Sequence, residues 1–145
     1  MALVVDDHLL LDVLADSARG WLAAETVRSA VYTTSSWYYR VASAADHGTG
    51  SGSLSGRISA LPDEDQRAVR SRIGSLPDSI GLIGPRTLVP VMAGLRTPRR
   101  LNYLSAEALA LAILTEATIA VRTNSPPLRD ACAALQVAYQ IVDAP

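Results

Sequence analysis

Residues 104–121 have the sequence LSAEALALAILTEATIAV, and this stretch decides the fold class. Residues 104–117 form a continuous run rich in Ala, Leu and Ile, which is typical of a buried helix, and residues 118–121 are strand-like. The sequence that follows predicts a turn at 124–127, a helix around 128–135 and a last strand at 137–142. Such alternation of helices and strands indicates a parallel sheet covered by helices on both faces.

The N-terminal part of the chain shows the same alternation. Residues 3–5 (Leu-Val-Val) predict a buried central strand that stops at an acidic pair, and residues 30–32 (Ala-Val-Tyr) predict a second strand. Ser35 or Ser36 can cap the helix that follows, and residues 80–83 predict a short third strand. We therefore expect one α/β domain over residues 1–145, with three α/β/α layers and a central, mostly parallel sheet of four to five strands.

Residues 47–56 have the sequence HGTGSGSLSG, which stands apart from the rest of the chain. Glycine and serine at this density give the backbone high conformational entropy. A phosphate-binding loop would end in Gly-Lys-Ser or Gly-Lys-Thr, and that ending is missing here. The composition predicts a flexible loop inside the domain.

Composition excludes several classes of protein. The formal net charge is -1, so no general positive field attracts nucleic acid or a membrane surface. The single cysteine, Cys132, cannot form an internal disulfide and is predicted to be buried in a helix. No run approaches the ~18 apolar residues of a membrane-spanning helix, and the N-terminal apolar run meets an acidic pair instead of following a basic leader. We expect a soluble, cytoplasmic protein.

Polar residues at the ends of the predicted strands are the candidates for chemistry, because open α/β sheets bind ligands beyond the carboxyl ends of their strands. Three segments carry them: VVDDHLLL at 4–11, LSAEALALA at 104–112 and TNSPPL at 123–128. In this order and spacing they resemble the PIN-domain family, the superfamily of VapC-like ribonuclease toxins. The resemblance covers nearly the whole chain. It implies a Mg²⁺ or Mn²⁺ site formed by four acidic residues: one after the first strand, one in the helix after the second strand, one opening the late helix and one after the next strand.

Residue by residue, the resemblance implies a depleted metal site. Asp6 matches the first carboxylate, and Glu107 lies one position nearer the Leu-Ser pair than the family's Asp and is one methylene longer. The family's middle Glu falls on Arg40, and its last Asp falls on Ser125, or on Asn124 if the register shifts by one. Asp6 and Glu107 are thus the candidate catalytic and metal-binding carboxylates, with Asn124 and Ser125 as auxiliary oxygen ligands.

Arg40 is the sharpest departure from the family pattern. A guanidinium about 5 Å from a divalent cation is repelled by roughly 6 kcal/mol at an effective dielectric constant of about 20. If Arg40 points inward, we expect it to pair with Asp6 and Glu107 and to oppose metal binding. Two simpler roles stand beside the metal site: Asp6 and Asp7 suit a helix cap, and Glu107 suits the positive end of its own helix.

Three functions follow as hypotheses. The first is a catalytically impaired PIN-like module that binds RNA or an antitoxin-like protein. The alternative is an active Mg²⁺- or Mn²⁺-dependent endoribonuclease of the toxin–antitoxin type, in which Asp6 and Glu107, with Asp7 as a further oxygen ligand, activate a water molecule. The third is a scaffold that forms a homodimer or larger homo-oligomer through an aromatic run at 37–39.

A basic cluster adds a candidate surface for nucleic acid. Arg96, Arg99 and Arg100 flank a Thr-Pro pair and form the densest group of arginines in the chain. They are candidates for phosphate contacts, and a solvated turn is the alternative.

Overall fold

A computed structural model describes residues 1–46, 52–97 and 100–143 of the chain. The strands are Ala2–Val5 (β1), Ala30–Tyr32 (β2), Ile80–Gly81 (β3), Thr118–Val121 (β4) and Tyr139–Ile141 (β5). The helices are Asp7–Leu14 (α1), Gly20–Arg28 (α2), Ser35–Asp46 (α3), Ser53–Ala60 (α4), Asp63–Gly74 (α5), Pro85–Gly94 (α6), Tyr103–Thr115 (α7) and Pro126–Ala134 (α8). Within these ranges no helix combines the length and the apolar character needed to cross a membrane.

The five strands form one parallel sheet in the order β3-β2-β1-β4-β5. Leu3 in the central strand pairs with Val31 of β2 on one side and with Thr118 of β4 on the other. The predicted α/β class and the parallel sheet are confirmed. From β1 the chain builds the sheet outward through β2 and β3, then returns to the other side of β1 to form β4. The gap between the carboxyl ends of β1 and β4 is therefore the point where ligands bind in open α/β sheets.

The sheet lies between two helical layers because successive side chains of a strand point to opposite faces. Leu3 and Val5 pack with α1 to α5 in one core, whereas Val4 packs with α6, α7 and α8 in the other. The middle of α7, Ala108 to Ala112, is at most 1% exposed, as its Ala/Leu sequence predicts. Cys132 is buried in α8, also as predicted.

Helix α3 begins with a different cap from the one that the sequence suggested. The Oγ1 atom of Thr34, not Ser35 or Ser36, accepts a hydrogen bond from the Trp37 amide at 3.1 Å. Thr34, two residues after the end of β2, is fully buried, which fixes its side chain over the first turn. The two serines are thereby placed in the first turn itself, with their polar groups directed at another element.

The prediction of a loop over residues 47–56 is wrong in its second half. Residues 47–51 lie outside the described part of the chain, but residues 53–56 belong to α4. Leu54 and Ile58 are 5% and 2% exposed in the core beside α3, so tertiary packing outweighs the entropy of the Gly/Ser composition. Helix α4 consequently forms part of the wall beside the carboxyl end of β1.

Candidate functional site

A cleft of about 400 Å³ opens at the carboxyl ends of β1 and β4. The structure brings four of the predicted site residues together there: Asp6, Arg40, Asn124 and Ser125 all line it, together with Asp7 and His8. Their common origin is the parallel sheet, which gathers the strand ends and the helix starts at one edge. The cleft is therefore the candidate functional site of the domain.

Asp6 uses both carboxylate oxygens for backbone hydrogen bonds. Its Oδ1 accepts from the Leu9 amide at 2.9 Å, which confirms its predicted role as the cap of α1, and its Oδ2 accepts from the Arg122 amide at 2.9 Å. Burial raises the pKa of Asp6 to about 6, although these two bonds act in the opposite direction. Asp6 thus links the C-terminal end of β4 to the start of α1.

Asp7 is the carboxylate that meets Arg40. The Nε atom of Arg40 lies 3.2 Å from Oδ2 of Asp7, and the Asp7 side chain is 6% exposed. The pair lacks hydrogen-bond geometry, and within the described residues this oxygen makes no hydrogen bond at all. Arg40 therefore does point to the acidic pair, as expected, but its partner is Asp7 and not Asp6 or Glu107.

Glu107, the other predicted carboxylate ligand, does not line the cleft and instead caps another helix. Its side chain is fully buried; Oε2 accepts from the Ser35 hydroxyl at 2.7 Å and Oε1 accepts from the Ser36 amide at 3.0 Å. A carboxylate at the start of α3 also meets the positive end of that helix. Glu107 therefore ties α7 to α3, and its oxygens are already engaged by the first turn of α3.

Asn124 and Ser125 are held by an aromatic residue that the sequence did not single out. The Tyr139 hydroxyl donates to Oδ1 of Asn124 at 3.2 Å and accepts from the Ser125 amide at 3.0 Å. Burial raises the pKa of Tyr139, so the neutral phenol persists at physiological pH. Tyr139 lies in β5, next to β4 in the sheet, and no pattern in the neighbouring sequence predicts this contact.

A second group of charges, which the sequence did not reveal, supports the wall of the cleft. Asp12 in α1 binds the guanidinium groups of Arg57 from α4 and Arg122 after β4, the latter at 2.8 Å. Arg57 also lies 3.0 Å from Nδ1 of His8 and donates to the His8 carbonyl. Burial, before any charge, lowers the pKa of His8, which keeps its ring neutral beside the guanidinium. These contacts hold α4 against α1.

The two described arginines of the basic cluster lie elsewhere on the molecule. Arg96 and Arg100 line a separate groove of about 580 Å³ at the end of α6, together with Met92, Leu95 and Leu101. The third member of the predicted cluster, Arg99, lies outside the described residues. Arg96 and Arg100 therefore lie on a different surface from the acidic cleft.

The side chains of the cleft do not fit a divalent cation. Mg²⁺ and Mn²⁺ require several oxygen ligands and local negative charge. Here Asp6 is engaged by two amides, a guanidinium faces Asp7, and Glu107 is bound to α3. Over the described ranges no group of three or more His, Cys, Asp or Glu side chains is arranged to hold a metal ion.

Comparison with known proteins gives no independent assignment. No protein-family model matches the chain, and no curated protein matches it. The resemblance to the PIN family is therefore a prediction that depends on the segments at 4–11, 104–112 and 123–128.

Proposed function

We propose that this chain is a catalytically impaired PIN-like module that works by binding a protein partner, with its metal position neutralised by its own Arg40. The observation that carries the proposal is the contact of 3.2 Å between Arg40 Nε and Asp7 Oδ2 at the mouth of the cleft. A fixed positive charge at the position where the resemblance implies a glutamate removes one ligand and repels the cation that the others would hold. The cleft is left as a polar recognition surface.

Charge in the cleft favours a protein over RNA as the partner. Among the described residues, the charged side chains that line it are two carboxylates, Asp6 and Asp7, and one guanidinium, Arg40. The lowered pKa of His8 disfavours a further positive charge. Without a metal ion, a phosphodiester backbone is repelled by such a net negative surface. A protein partner can instead offer hydrogen-bond donors to these oxygens and to the Asn124 amide group.

One observation favours the alternative, a Mg²⁺- or Mn²⁺-dependent endoribonuclease of the toxin–antitoxin type. Oδ2 of Asp7 is buried at the cleft and accepts no hydrogen bond within the described residues. An acceptor in that state is an oxygen that a cation or a donor would satisfy. Movement of Arg40, whose side chain is 53% exposed, would release it.

A thermal-melting titration with Mn²⁺ tests the proposal on the wild type and on Arg40→Glu. The control is Arg67→Glu, which makes the same change of charge at an exposed position on α5. We expect millimolar Mn²⁺ to stabilise Arg40→Glu alone, because that variant restores the carboxylate that the resemblance implies at position 40. At a Mn²⁺ concentration of ten times Kd, the expected stabilisation is about 1.4 kcal/mol.

Other outcomes assign the function differently. Stabilisation of the wild type, together with Mn²⁺-dependent RNA cleavage that Asp6→Asn abolishes, would establish the ribonuclease. Equal stabilisation of Arg40→Glu and Arg67→Glu would indicate nonspecific cation binding and contradict the proposal. If no variant responds, the PIN-like chemistry is refuted and the α/β fold remains without it.

A further inference from the structure

We infer that the groove at the end of α6 docks an acidic segment of a protein through an apolar anchor. The α6–α7 groove is lined by Met92, Leu95, Arg96, Thr97, Arg100, Leu101 and Ala106. The inference goes beyond the proposed function, because it assigns a partner chemistry to a second surface. It concerns a surface separate from the cleft, so the two can be tested separately.

The floor of the groove is apolar and adaptable. Met92, Leu95 and Leu101 are half-buried and pack against the core that contains α7, leaving part of each side chain open to the groove. A volume of about 580 Å³ exceeds that of the cleft and accommodates apolar side chains from a partner. Methionine adjusts its shape to such partners more readily than branched side chains do. The floor is therefore suited to leucine-like anchors of an amphipathic helix.

The rim of the groove is positive. Arg96 and Arg100 are exposed, and neither takes part in an ion pair among the described residues. By contrast, Arg40, Arg57 and Arg122 are each paired with an aspartate. Two unpaired guanidinium groups beside an apolar floor complement a segment in which acidic residues flank apolar ones.

The lining distinguishes a protein segment from RNA. Single-stranded RNA is held by bases stacked on aromatic side chains, and the described residues of the groove include no aromatic ring. RNA bases stack poorly on leucine and methionine side chains, whereas the apolar side chains of an amphipathic peptide are buried well against them. The apolar floor therefore favours the peptide.

Fluorescence anisotropy with synthetic probes tests the inference. The probe is a labelled 12-residue peptide of glutamates with leucines at helical spacing, and the comparison probes replace its leucines by serine, replace its glutamates by lysine, or are a 12-nucleotide oligouridylate. The protein variants are the wild type, the double variant Arg96→Glu/Arg100→Glu and the matched control Arg67→Glu/Arg70→Glu. The control reverses two exposed arginines on α5.

We expect the wild type and the α5 control to bind the acidic leucine peptide equally, and the groove variant to bind it about tenfold more weakly at low salt. We also expect the serine and lysine peptides to bind more weakly than the parent peptide. Melting temperatures within a few degrees of the wild type show that each variant is folded.

Several results would overturn the inference. Equal losses in the groove variant and the control would mean general charge attraction. Tighter binding of oligouridylate than of the peptide would make the groove a phosphate surface, and no peptide binding at millimolar concentration would leave it without the proposed partner. None of these outcomes depends on the Mn²⁺ response, so failure here is distinguishable from failure of the proposed function.

Discussion

Replacement of Glu107 by glutamine or by alanine tests whether this buried carboxylate works as a helix cap. The residue is fully buried and accepts from the Ser35 hydroxyl and the Ser36 amide. Glutamine keeps one oxygen for the fixed Ser36 amide, and its own amide group can donate to the rotatable Ser35 hydroxyl. Alanine removes both acceptors and leaves a cavity.

The expected losses of stability follow from these contacts. Glutamine retains both hydrogen bonds and loses only the attraction between a carboxylate and the start of α3, which costs about 1 kcal/mol in a buried setting. Alanine leaves the half-buried Ser36 amide without its acceptor, at a cost of about 1–3 kcal/mol, and adds the loss of side-chain packing. At roughly 3 °C per kcal/mol for a chain of this size, we expect the melting temperature to fall by about 3 °C for Glu107→Gln and about 10 °C for Glu107→Ala.

Thermal and urea unfolding measure both variants, and Ser35→Ala completes a double-mutant cycle with Glu107→Ala, which removes the acceptor of the Ser35 hydroxyl. The cap predicts a positive coupling of about 0.5–1.5 kcal/mol between the two positions. If Glu107 instead stands among repelling carboxylates as a ligand awaiting a cation, glutamine would relieve that repulsion. A higher melting temperature for Glu107→Gln would therefore refute the cap.

Two further predictions concern the charges around the cleft. The folded-state pKa of Asp6, about 6, lies above its ordinary value of 3.8. Its protonated form therefore stabilises the fold below about pH 4, and that contribution disappears as the pH rises through 6. The free energy of unfolding of the wild type, relative to that of Asp6→Asn, should therefore fall by up to about 3 kcal/mol between pH 4 and pH 7. Urea unfolding at each pH measures this difference. A difference that does not change with pH would contradict the prediction. Arg57→Ala should lower the free energy of unfolding by about 2 kcal/mol, because it removes a partly buried partner of Asp12 and a contact that holds α4. The control Arg67→Ala should change it by less than about 0.5 kcal/mol. Equal effects of the two arginine substitutions would show that the network around Asp12 contributes nothing.

Periodic and apolar segments made the fold predictable. The strands at residues 30–32 and 118–121 have the predicted bounds, and the long Ala/Leu helix lies in the core, because burial of these runs is what specifies a covered parallel sheet. The meeting of Asp6 with Asn124 and Ser125 was also predictable, since both segments follow strands that end at one edge of the sheet.

Contacts between distant polar residues were not predictable. Asp12 contacts Arg57 and Arg122, which lie 45 and 110 residues away along the sequence. No local sequence pattern predicts such a pair. Helix α4 was missed for a related reason: its Gly/Ser composition is locally unfavourable for a helix, and its stability comes from Leu54 and Ile58 in the core. In both cases tertiary packing outweighs the local preference of the sequence.

Helix α3 contributes the guanidinium of the cleft. Its first turn is fixed by Glu107, and the next turn carries Arg40 to Asp7. Each carboxylate near the site thus has a partner within the chain, because Asp6 is bound by amides, Asp7 faces a guanidinium and Glu107 caps α3. A single change at position 40 adds one ligand and frees Asp7, but it leaves the other two carboxylates engaged. We therefore expect Arg40→Glu to bind Mn²⁺ only at millimolar concentrations, and release of Glu107 from α3 to lower stability before it improves that affinity.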